Sequence, residues 1–219
     1  MNTVTAYCGR SITQLVLVLT LAVTGRGQAT LRPDIGARFD SVKTDFESEI
    51  THLPKIRGEN GYSSSDVNAA LRKTKDATLA PIPPEDKPLR AYVDRSFPAP
   101  VDESTEIVKK EDVQERFSLV RLLLAKLSRL DSFRLDLTVN TNPSKARFEL
   151  VPRVGEHLAS TTNGRLTNVY RGEYDYYITK AGYKRIHETI NFIDRAGTVL
   201  QCELQPAASP EDALPCNFN

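Results

Sequence analysis

The sequence has no tryptophan, one methionine, three histidines and three cysteines among 219 residues. So little histidine and cysteine leaves almost no material for a metal centre or for a nucleophile activated by imidazole. Cysteine pairs with the spacing of a zinc site are missing, and so are a Gly-x-Ser-x-Gly elbow, a His-Glu-x-x-His pair, a phosphate-cradling glycine loop and an Asp-rich calcium loop. A glycosidase needs only two carboxylates, which 28 acidic residues cannot forbid, but no pair declares itself. His52 ends an amphipathic segment, His157 falls in an expected hairpin and His187 in an expected strand, each a structural or solvent-facing position. The chain reads as no enzyme, with no cofactor; a hydrolase of unknown class is the least favoured reading.

Acidic residues are absent before Asp34, and no apolar run is long. The longest, Leu15 to Val23, is nine residues, or twelve counted from Ile12, against the roughly 20 that a membrane span needs. Arg10 precedes it and small, polar residues follow, the three-part layout of a secretory signal peptide. Gly27-Gln28-Ala29 presents small residues where a signal peptidase reads, which predicts cleavage after Ala29, with Gly25 as second choice and a buried N-terminal helix as the alternative. Cys8 lies before the apolar run, so a lipid-anchor signal is missing. The expected location is secreted or periplasmic, with no transmembrane segment in the mature chain. Loss of residues 1–29 removes Arg10 and Arg26 and leaves 27 basic and 28 acidic residues. That balance argues against a nucleic acid partner.

The same cleavage discards Cys8 and leaves Cys202 and Cys216. In an oxidising compartment they form a disulfide worth about 3 kcal/mol through loop closure. Otherwise Cys202, in phase with Leu200 and Leu204, is a buried thiol.

Along the remainder, Ile35, Phe39, Val42, Phe46, Ile50 and Leu53 recur at helical steps between Pro33 and Pro54. A shorter helix is expected from Ser64 or Ser65 to about Lys75, completing a helical region over 30–75. Six of the thirteen prolines fall within 76–104, which predicts an extended, semi-rigid linker that Tyr92, Val93 and Phe97 anchor at one point. Over 105–132, Val113, Phe117, Val120, Leu124 and Leu127 form a second apolar stripe, and Asp112 with Glu115 reads as a capping box. Its six leucines from Leu119 to Leu130 suit core packing or a partner-binding face. The two long helices are expected to pair antiparallel.

After Asp131 the period changes to two. Leu135, Leu137 and Val139, then Phe148 and Leu150, Tyr174, Tyr176 and Ile178, Ile190 and Phe192, and Leu200, Cys202 and Leu204 mark short strands. Turns fall between them at Asn142-Pro143, Asn163-Gly164, Arg171-Gly172, Ala181-Gly182 and Ala196-Gly197. This is the pattern of a small antiparallel β-sandwich over 133–206, followed by a tail, 207–219. The fold class is α+β.

Within the β region, Pro143-Ser144-Lys145-Ala146, Gly172-Glu173-Tyr174 and Lys180-Ala181-Gly182-Tyr183 resemble the PEGA family of β-sandwich modules over about 135–205. The first motif keeps the family's Pro and Ala but has Lys where Gly is usual. Gly155 falls at the family's second hairpin, and Thr161-Thr162 stands where Thr-Pro is common. The sandwich is also similar in outline to carboxypeptidase regulatory-like modules. The resemblance implies an extracytoplasmic module that serves interaction more than catalysis.

The candidate binding residues are Tyr170, Arg171, Tyr177, Lys180, Tyr183 and Arg185, since tyrosine and arginine contribute most at protein interfaces. Tyr174 and Tyr176 are expected in the core; Tyr177, out of phase with them, and Tyr183, at a turn, are expected outside it. The expected function is non-catalytic binding of an envelope protein. The alternative is a carbohydrate-binding module that stacks sugar rings on tyrosine.

Overall fold

The computed structural model describes residues 35–56, 60–195, 198–209 and 213–219; the expected signal peptide lies outside them. The chain is α+β, a helical layer against two β-sheets. The layer holds α1 (Ile35–Thr51), α2 (Ser64–Leu79), α3 (Lys87–Ser96) and α4 (Lys110–Leu127), with short strands β1 (Gly61–Ser63) and β2 (Ile107–Lys109) paired antiparallel.

α1 turns Phe39 and Phe46 inward, and Phe46 meets Phe117 of α4 edge-on at 5.4 Å. Arg121 of α4 grips Glu47 of α1 through Nε at 2.7 Å and Nη2 at 3.1 Å. The apolar stripe of α4 is buried at Val113, Phe117, Val120, Leu124 and Leu127, with Leu123 beside it. The Asp112–Glu115 capping box is not what begins this helix. β2 runs directly into α4 through Lys109, whose side chain makes no capping hydrogen bond.

The proline-rich stretch is not an extended linker. α2 continues to Leu79, and α3 occupies Lys87–Ser96. Pro88 stands in the first turn of α3, where a missing N–H leaves no hydrogen bond unmade. Leu89, Tyr92, Val93, Phe97 and Val101 are all buried, so this segment completes the helical core. Asp86 caps α3 by accepting from the Leu89 N–H at 3.3 Å.

One sheet has the order β10-β9-β3-β6 and the other β5-β4-β7-β8. Their strands are β3 (Arg134–Asn142), β4 (Arg147–Pro152), β5 (Leu158–Thr161), β6 (Gly164–Tyr170), β7 (Glu173–Thr179), β8 (Ile186–Asn191), β9 (Val199–Glu203) and β10 (Asn217–Phe218). Leu137, Phe148, Leu150, Tyr174, Tyr176, Ile178, Phe192 and Leu200 share one core. Among the described residues all strand pairs are antiparallel save one. β9 enters beside β3 running parallel to it, since the chain crosses from the other sheet to reach that place. Nor does the sandwich end before the tail, for β10 pairs with β9, and Cys216 is disulfide-bonded to Cys202.

The helical layer meets the sandwich where α3 abuts the β6–β7 turn. Arg95 reaches Glu173 at 2.8 Å, and a side chain at Gly172 would collide with the backbone of Pro88, 2.8 Å from where its Cβ would stand. No helix among the described residues is long and apolar enough to cross a membrane.

Candidate functional site

Period-two alternation in β7 sends Tyr174, Tyr176 and Ile178 inward and Glu173, Asp175, Tyr177 and Thr179 outward. The β7–β8 hairpin then sets who stands beside whom: Tyr177 pairs with His187 and Asp175 with Thr189, while on the other side Glu149 of β4 opposes Tyr177. This outer face of the β5-β4-β7-β8 sheet carries the candidate site.

The tyrosine there is locked from two directions. The His187 ring stacks on it with centroids 4.3 Å apart and planes 15° from parallel, and the Arg185 guanidinium lies 4.4 Å from its centroid. A guanidinium over an aromatic ring is held by the ring's quadrupole, on the order of 0.5–1 kcal/mol at a surface. Around it, Thr189 donates to Asp175 at 2.7 Å and Arg147 bonds Glu149 at 2.5 Å. Side chains fixed beforehand lose little entropy when a partner arrives.

The six candidate residues do not form one surface. Tyr177 and Arg185 stand together. Lys180 instead ties down the β3–β4 turn, its Nζ donating to the Ser144 carbonyl at 2.7 Å. Tyr183 is half-buried against the sandwich core and bridges to Pro206, so the turn position does not free it.

Arg171 is a strut between layers. Its Nε donates to the Ser132 carbonyl, its Nη1 to the Phe192 carbonyl and its Nη2 to Asp131, at 2.9, 3.0 and 2.5 Å. Tyr170 lies on the far side of the sandwich, bonded through its hydroxyl to Arg134 and lining a hollow of about 310 Å³ with Pro88, Glu156 and Asn168. Between the lining residues Glu85 and Lys87 stands Asp86, fully buried, with one carboxylate oxygen unpartnered. Burial pushes its carboxyl up to about 7.

His187 is the participant that inspection of residue types passes over. The signal for it is arithmetic on the hairpin: pairing about the Ala181-Gly182 turn places position 187 opposite position 177. Among the described residues no group of three His, Cys, Asp or Glu side chains is placed to hold a metal ion. No family model matches the chain, and no curated protein matches it.

Proposed function

We propose that the protein is a non-catalytic, extracytoplasmic protein-interaction module of the cell envelope, and that it engages its partner with the outer face of the β5-β4-β7-β8 sheet. The observation that carries this reading is the half-exposed Tyr177 ring held by His187 and Arg185 on the outer strand face. Rigid amphipathic rings bury area at small entropic loss, and arginine offers donors at the rim of the contact. The neighbouring Asp175–Thr189 and Arg147–Glu149 pairs lie on the same face and add polar groups around the ring.

Support for the compartment comes from the bond between Cys202 and Cys216, of a kind that persists in oxidising surroundings. The apolar run Leu15 to Val23, read as the core of a signal peptide cleaved after Ala29, points the same way. The PEGA-like reading of the sandwich is supported at Lys145, which stands at the family's glycine position and takes φ +61°, a conformation natural to glycine.

The test is retention of envelope proteins on immobilised wild-type protein against a Tyr177→Ala, Arg185→Ala double variant with the same unfolding temperature. One protein held by the wild type, with affinity at least about tenfold lower for the variant, is the expected result. Equal retention by both forms contradicts the assignment of this face. Retention of purified glycan in place of protein transfers the face to the carbohydrate-binding reading.

A further inference from the structure

α4 has a second stripe that the core does not use. Leu119 and Leu122 are 47% and 56% exposed, opposite the buried row of Val113, Phe117, Val120 and Leu124. At 100° per residue Asp112, Glu115, Leu119, Leu122, Lys126 and Arg129 fall along one narrow band, with Arg129 in the turn that closes the helix. The band is acidic at its start, leucine in the middle and cationic at its end. Asp112, Glu115 and Arg129 form no ion pair among the described residues.

We propose that this band is the contact between two copies of the chain, with α4 packed antiparallel to α4 across a two-fold axis between Leu119 and Leu122. A band that runs from negative to positive is complementary to its own reverse, as a self-matching two-fold interface requires. In that register Leu119 meets Leu122 of the second copy, Glu115 meets Lys126, and Asp112 meets Arg129, each contact made twice.

Lys126 already holds Asp194 at 2.9 Å, so the Asp112–Arg129 pair carries most of the discrimination. The cationic end also opens into a groove of about 440 Å³ whose walls hold Asp194 and Asp131 paired to Lys126 and Arg171, and Arg129 and Arg195 besides; these last two are the cations that receive the first turn of the second copy's α4 with Glu111 and Asp112. A membrane surface is a poorer occupant, because a helix that lies on lipid flanks its apolar face with lysine and arginine, whereas here Asp112 and Glu115 continue the leucine row. A single helix pair with one groove at each end makes a small interface, so the dimer is reversible and weakened by salt. The inference does not depend on the Tyr177 face, which belongs to the sandwich.

Sedimentation velocity of the full chain over a concentration series reads the association. The expected wild-type behaviour is a monomer–dimer equilibrium. Asp112→Arg and Arg129→Glu each place like charges opposite one another and raise the dissociation constant at least about tenfold. Mixing those two variants pairs each altered residue with its new complement, so heterodimers form with near wild-type affinity. Leu122→Asp abolishes association, and circular dichroism of all variants matches wild type because the altered side chains are exposed. A wild type monomeric throughout the series overturns the proposal, as do single variants that associate like wild type, a mixture that stays monomeric, or association only with a different protein.

Discussion

Lys145 sits in the left-handed region at φ +61°, in the turn between β3 and β4. A side chain there costs about 1 kcal/mol relative to glycine, offset in part by glycine's freer unfolded chain. Lys145→Gly is therefore expected to stabilise the protein by up to about 1 kcal/mol, read as a higher midpoint in urea. The Lys180 anchor to the Ser144 carbonyl survives that change, since it uses backbone oxygen. Asp86 works in the opposite sense. Its carboxyl has no access to water and one oxygen without a partner; Leu89 donates to the other, Arg134 and Arg90 bear on it from nearby, and Glu85 adds a repelling charge. Its folded value of about 7 is above the ordinary 3.8, so the folded state binds a proton that the unfolded chain releases. Stability is then whole below about pH 4, falls as pH rises toward about 7 and levels off beyond. Asp86→Asn keeps an acceptor for the Leu89 N–H and removes the ionisation. Unfolding measured from about pH 4 to about pH 8 should lose that slope, with a gain of up to about 4 kcal/mol at the alkaline end.

Among the elements, those with long periodic stripes are legible in the chain, and those held by tertiary contacts are not. The stripe from Val113 to Leu127 shows α4, and alternation shows the inward residues of β3, β4 and β7, including Tyr174 and Tyr176. α3 is hidden because prolines dominate its surroundings, yet Pro88 is harmless in a first turn and the buried Leu89, Tyr92 and Val93 supply the energy that local propensity does not. Of the candidate site, Tyr177 is visible by its phase, whereas Tyr183 looks exposed at its turn until the Pro206 bridge covers it. Gly172 reads as a turn glycine and has a second duty that only packing shows. Its missing side chain lets α3 approach the β6–β7 turn, and a methyl group would stand 2.8–2.9 Å from atoms of Pro88. Gly172→Ala should destabilise the protein by about 2 kcal/mol, since that backbone must shift. Chemical denaturation checks this; an unchanged midpoint means that the two layers are not held at this contact.

The described residues join a helical core to a sandwich core, with Arg171, the Arg95–Glu173 pair and the Gly172–Pro88 contact at the seam. That division leaves the outer face of the β5-β4-β7-β8 sheet unused by the fold at Tyr177, Arg185 and His187, while Tyr170 and Arg171 are spent elsewhere. That distribution of roles is what supports the sheet face as the proposed binding surface. Its most direct test places a photo-crosslinking residue at Ala159, exposed on the same outer face opposite Glu149, and at Thr138 on the other sheet as a control, in cells that produce the protein. A discrete protein adduct from position 159 and none from position 138 is the predicted result. Equal adducts from both positions, or none from position 159, would contradict the account.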